Sequence, residues 1–204
     1  VEARAALDSI GMPTKKTEAF RFTSVRDLVE AELVDSDGDA DVAAIQRQLG
    51  HDDTYRVVVG DGLPLVTGST RDGVRVTTLG DAMTTHAAEL ESTLARLVPA
   101  THFAAANTAS FVDAIVVIVP AGIDASVPVH LVHVVTELDR PAFTHARVVV
   151  LAEPGSRLTL VESYLGDRAG ASFINSVVEL RLDAGASVEH LLASEARGST
   201  VSTM

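Results

Sequence analysis

"IVVIVPAG" (115–122), "VVVLAEPG" (148–155) and "VELRLDAG" (178–185) share one form: an apolar run that reaches a glycine at its eighth position, with another strand-like run behind it. The glycines lie 33 and 30 residues apart. A strand–turn–strand unit recurring at that spacing cannot hide its apolar face alone, so the pattern predicts units stacked on one another with their strands in parallel. The first two runs are almost wholly apolar, as expected where both faces, or one face and a cap, are covered, whereas "VELRLDAG" alternates and predicts one wet face. A β-sandwich is the competing reading, but its strands come at intervals of about 8 to 12 residues with hairpin turns between them.

Working back from residue 115, the pattern changes. "VEARAALDSIG" holds helix formers followed by Gly11 and Pro13, the order of a helix stop. Ser24 and Asp27 offer a weak capping box ahead of Leu28 and Leu33, and Val42, Ile45 and Leu49 share a face that ends at Gly50. "YRVVVGDGLPLV" (55–66) predicts a hairpin turning at Gly60 to Gly62, with Pro64 confining the second strand to an edge or an end. Met83, Ala87, Leu90, Leu94 and Leu97 recur at steps of four and three, predicting a helix stopped by Pro99.

With 204 residues the chain can bury about 70% of the surface an unfolded chain exposes, enough for a real core. Sixteen Lys+Arg against 28 Asp+Glu leave a formal charge of −12, which repels phosphate backbones and argues against nucleic acid as a partner. No cysteine is present, so disulfides, thiolate zinc sites, cysteine nucleophiles and cysteine-ligated clusters are excluded within the chain. The longest apolar run, "AIVVIVPAGI" (114–123), is about half of what spans a bilayer, and Glu2, Arg4 and Asp8 stand where a signal core would be. A soluble, cytoplasmic protein is expected. The first residue is not methionine and the last follows a strand-like segment directly, which reads as a piece of something longer.

The search for chemistry turns to the seven histidines and the carboxylates. His130 and His133 are three apart, but positions i and i+3 of a strand point to opposite faces, making a poor chelate. His86 fits the edge of an apolar helix face as a structural histidine. His51, His102, His145 and His190 have no neighbouring ligand in sequence. No metal site and no catalytic residue is assigned, and cofactor-binding residues stay open. Glu162, Glu179 and Asp183 could pair as carboxylates, although charges on the outward face of a strand are the ordinary case. No nucleophile elbow occurs, and "GDGLPL" joins two strands without the lysine or the helix of a phosphate loop.

One stretch stands apart: "PTKKTEAFRFT" (13–23), with three basic and two aromatic side chains in an acidic chain poor in aromatics. In extended chain Phe20 and Phe22 would project to one side as an anchor, with Lys15, Lys16 and Arg21 left as a basic patch in solvent. "LDSIGMPTKKTEAFRFTSVRDL" resembles the N-terminal signature of the SufD family of iron–sulfur cluster assembly proteins of the SUF system. The matching residues are Gly11, Pro13, Thr14, Lys15, Lys16, Glu18, Phe20, Arg21, Phe22 and Thr23, with Phe20 and Phe22 where that family more often carries Trp and Tyr. The resemblance continues through "YRVVVGDG", "FAAANTASFVDAIVVIVPAG", "VPVHLVHV" and "VVVLAEPGSRLTLVESYLG", with Ala114 in place of the usual glycine.

That resemblance implies a helical N-terminal domain followed by a right-handed parallel β-helix, and a scaffold, not an enzyme, working with SufB and the ATPase SufC. The complex assembles the iron–sulfur cluster; this chain is expected to bind no cofactor itself. It covers the family's first half, so that most partner contacts would fall in a missing C-terminal part. The lack of cysteine favours SufD over its paralogue SufB. The expected fold is therefore mainly β with an α N-terminal part: a helical domain with one hairpin over 1–100, then the opening coils of a parallel β-helix over 101–204. The alternatives are an exported β-helix enzyme acting on polysaccharide, for which neither an export signal nor an Asp ladder is found, and a structural solenoid self-associating through its open end.

Overall fold

The structure is a computed structural model and describes residues 2–14, 16–20, 34–35, 53–65, 69–134, 142–165, 172–194 and 200–203. The helices expected over 24–33 and 42–49 lie outside these residues. Helix α1 (Glu2–Ile10) ends as its sequence predicts: Gly11 takes a left-handed φ of 68° and its N–H bonds back to the Leu7 carbonyl at 2.7 Å. A single 3₁₀ turn, Glu18–Phe20, follows.

Among the described residues, twelve strands divide between two sheets. One has the order β12 (Thr200–Thr203), β10 (Ser172–Leu182), β8 (Ala142–Ala152), β6 (Ile115–Val119), β5 (Val74–Thr78), β4 (Ser69–Arg71), with β1 (Val34–Asp35) also paired to β8. The other runs β11 (Ser187–Ser194), β9 (Arg157–Leu165), β7 (Val129–Val134), β2 (Tyr55–Gly60), β3 (Leu63–Pro64). From β6 onward the chain alternates between the sheets. The three look-alike stretches become neighbours in parallel, Ile115 opposite Val148 and Val148 opposite Val178. Their glycines, 122, 155 and 185, share φ near 70°, and the turns bond to each other, Gly122 N–H to the Pro154 carbonyl and Gly155 N–H to that of Ala184.

The expected fold class needs correction. Over the described residues the structure is mixed α/β, with three α-helices and two mixed sheets, not a mainly β chain with a helical domain leading into a parallel β-helix. Two Asp-Gly turns are the cause. Asp61-Gly62 and Asp72-Gly73 each place two consecutive residues at positive φ, the geometry of a tight hairpin, so the strands they join must run antiparallel. β5 then pairs antiparallel with β6 as well. Strands from before residue 100 thereby enter both sheets, β2 lying parallel to β7 from Tyr55–Val129 to Gly60–Val134.

The core fills the space between the sheets: Val57 and Val59 of β2, Val117 of β6, Leu131 of β7, Val148 and Val150 of β8 and Leu160 of β9 are all fully buried. On the other face of the first sheet, Val116, Ile118, Val149 and Leu151 pack against Ala82 and Leu90 of helix α2 (Leu79–Thr93). β6 and β8 are thus covered on both sides, which is why their sequences show no alternation.

Helix α2 departs from its expected course. It starts at Leu79, capped by Thr78, whose hydroxyl accepts from the Asp81 N–H, and it bends at His86. It ends at Thr93, well before Pro99. Met83 and Leu97, read from sequence as part of the apolar stripe, are exposed. Helix α3 (His102–Ser110) was not expected; its buried face is Phe103 to Asn107. Among the described residues no helix is long and apolar enough to cross a membrane.

Candidate functional site

Along β9 the side chains of Leu158, Leu160, Glu162 and Tyr164 point in turn into the space between the sheets. The first two are core. The third is a carboxylate with no exposure to solvent. Its partners come from the flanking strands. Parallel register sets His133 of β7 opposite Tyr164, and His190 of β11 opposite Leu160, so both imidazoles lie within reach of Glu162 from either side.

His133 Nε2 donates to Glu162 Oε2 at 2.7 Å, His190 Nε2 donates to Oε1 at 2.7 Å, and the Tyr164 hydroxyl donates to Oε2 at 3.1 Å. The His133 ring stacks on Tyr164, with centroids 4.5 Å apart and planes 7° from parallel. From the opposite sheet Ser176 of β10 approaches the phenol, its hydroxyl buried without a well-formed hydrogen bond. His133 Nδ1 is likewise buried and unpartnered. His190 opens the cluster to solvent, its side chain 25% exposed.

Burial alone would push the Glu162 carboxyl up; the hydrogen bonds and charge of His133 and His190 outweigh it and hold the group at about 2. The carboxylate in turn raises His190 above an ordinary histidine, against its partial burial. Burial and the Glu162 charge keep the Tyr164 phenol protonated well beyond its usual range. The arrangement can hold a proton between two imidazoles and a carboxylate. Each Nε2 is spent on a different carboxylate oxygen, and among the described residues no group of three or more His, Asp or Glu side chains is placed to hold a metal ion.

The other candidates from sequence scatter. His130 faces away from His133, bonding Ser163 Oγ at 2.8 Å, as the strand geometry requires. His86 sits at the bend of α2, 3.5 Å from Glu153. His102 Nδ1 donates to the Gly11 carbonyl at 2.8 Å, and His145 lies against Phe143 and Asn175. Phe20 meets Phe103 edge-on with centroids 5.4 Å apart, anchoring the segment after Pro13 to α3. Lys16 is exposed; Lys15, Arg21, Phe22 and His51 lie outside the described residues.

The three carboxylates do not pair with one another. Asp183 bonds Arg181 at the surface, and Glu179 is buried on the far face of β10, where a wet face was expected. There it meets the Arg147 guanidinium and accepts from the N–H groups of Ala95, Arg96 and Leu97 at 2.8 to 3.0 Å. Tyr164 and Ser176 escaped the sequence reading. The signal for the cluster was the period of two that carries Leu158 and Leu160 inward, since it must carry Glu162 and Tyr164 inward as well.

Comparison with curated proteins gives no match to this chain. Residues 133–203, the stretch that begins at His133 and holds every residue of the buried cluster, match the family model described as SUF system FeS cluster assembly, SufBD core domain.

Proposed function

We propose that the chain is a SufD-type scaffold subunit that works with SufB and the ATPase SufC in iron–sulfur cluster assembly in the cytoplasm, without catalysing a reaction itself. The match of residues 133–203 to the SufBD core domain carries this reading. Two sequence features point to the SufD branch: the run from Gly11 to Thr23, and the absence of cysteine, which denies the chain a thiolate of its own for a cluster. A net charge of −12 agrees with protein partners over nucleic acid.

The test is affinity purification of the tagged protein from its native host, with the co-purifying proteins identified by mass spectrometry. Recovery of a SufC-type ATPase together with SufB is expected. Recovery of neither overturns the reading.

A further inference from the structure

We propose that Asp72–Gly73 is the Asp-Gly step of the described residues most open to isoaspartate formation, and that Ser126 guards it by fixing the Asp72 carboxylate. The chain holds three Asp-Gly steps, 37–38, 61–62 and 72–73, of which the last two lie among the described residues. In such a step the glycine nitrogen, with no Cβ beside it to obstruct the approach, attacks the aspartate Cγ. A C–N bond forms, and one protonated carboxyl oxygen leaves as water with the nitrogen's proton. When water opens the resulting imide at the main-chain carbonyl, the chain runs on through the side-chain carboxyl as isoaspartate. Opened at the other carbonyl, it returns to aspartate.

The two steps share a turn geometry but not an environment. Asp61 is 7% exposed, and Gly62 lies so close to β8 that a Cβ on it would meet the His145 carbonyl oxygen at 2.9 Å. Asp72 and Gly73 are both exposed, and the φ of 79° at Gly73 keeps a glycine there. Protection of this second step must therefore come from the carboxylate's own contacts. Asp72 Oδ2 accepts from the Ser126 N–H, the Ser126 hydroxyl and the Val127 N–H, at 2.5 to 3.1 Å. These bonds fix the group and hold it ionised, below the usual carboxylate range, with the Ser126 hydroxyl contributing most. Both effects slow the attack, which needs a mobile, protonated carboxyl. The hairpin depends on the outcome. An isoaspartate adds a main-chain carbon to a two-residue turn whose register sets Arg71 opposite Val74, and β4 pairs over only three residues.

Ageing the folded whole chain in heavy-oxygen water at neutral pH, with peptide mapping by mass spectrometry, tests this. Each passage through the imide leaves one heavy oxygen at the aspartate, and isoaspartyl methyltransferase counts the isomer. In the wild type, label should enter Asp72 faster than Asp61. Ser126→Ala should raise the rate at Asp72 severalfold without moving that at Asp61, and Ser126→Thr, which keeps the hydroxyl, should stay near the wild type. Arg71→Ala removes the hairpin's tie to the Thr54 carbonyl but leaves the Asp72 contacts, so it should change the rate far less than Ser126→Ala. Label entering Asp61 as fast as Asp72, a Ser126→Ala rate equal to the wild type's, or an Arg71→Ala rate matching that of Ser126→Ala each overturns the proposal.

Discussion

The guanidinium of Arg147 and the carboxylate of Glu179 lie on adjacent parallel strands, two register positions apart, and neither touches water. Above them the chain leaves α2 through Ala95 at φ 58° and turns three successive N–H groups onto the same carboxylate. This contact explains why the helix stops at Thr93: the turn after it is spent on Glu179. Glu179→Ala leaves one arm of the Arg147 guanidinium and three N–H groups without their acceptor, and unfolding in denaturant should show a loss of about 3–5 kcal/mol. Replacing both partners, as in Arg147→Met with Glu179→Leu, should recover part of that loss. A double variant no better than Glu179→Ala would mean that the loop N–H groups, not the ion pair, set the cost.

Asn107 of α3 ties the helix to the same sheet. Its amide donates to the carbonyls of Ala146 and Asn175 at 2.8 Å each, and its oxygen accepts from Arg147 at 3.1 Å. Asn107→Ala orphans two buried carbonyls, so a loss of about 1–3 kcal/mol is expected in thermal or denaturant melts. Thr108 bonds Arg147 from nearer the surface, and Thr108→Ala should cost less than Asn107→Ala.

How much of this was legible in the sequence depends on the distance over which each feature is decided. The stop at Gly11, the 55–66 hairpin and the parallel stacking of 115–122, 148–155 and 178–185 are set by local turn chemistry and unbroken apolar runs. The second hairpin was equally local, with Asp72-Gly73 between two strand-like runs, and could have been read. What escaped was decided across long separations. The polar residues of "VELRLDAG" predict a wet face, yet Glu179 is buried because a loop more than eighty residues earlier supplies its donors. Met83 and Leu97 fit a helical stripe by spacing alone, but the bend at His86 and the early end at Thr93 turn them outward. The cluster around Glu162 needed the register of three strands, which single-strand patterns do not contain.

Two glycines of similar φ should respond differently to alanine. Gly62 has φ 86°, and a Cβ built on it would lie 2.9 Å from the His145 carbonyl oxygen, a backbone atom that cannot swing aside. Gly122 has φ 72° with nothing within 4 Å of such a Cβ. Gly122→Ala should therefore cost only the left-handed strain, about 1–2 kcal/mol. Gly62→Ala should cost clearly more, because β2 and β8 must also part. Equal losses in paired denaturation curves would show that the hairpin turn gives way instead.

Acid should act on the protein through Glu162. Its carboxyl is held at about 2 in the folded chain against about 4.5 for the unfolded side chain, so the unfolded state takes up its proton first as pH falls. The stabilisation is whole above pH 4.5, declines between 4.5 and 2, and amounts to about 3 kcal/mol by linkage. Glu162→Gln removes this term: its stability at neutral pH should be lower than the wild type's, and its decline between pH 4.5 and 2 shallower by the same amount. The other carboxylates titrate in both proteins and cancel in the difference. Parallel curves of stability against pH for the two proteins would show that Glu162 is not held down in the fold, and that the two imidazoles do not offset its burial.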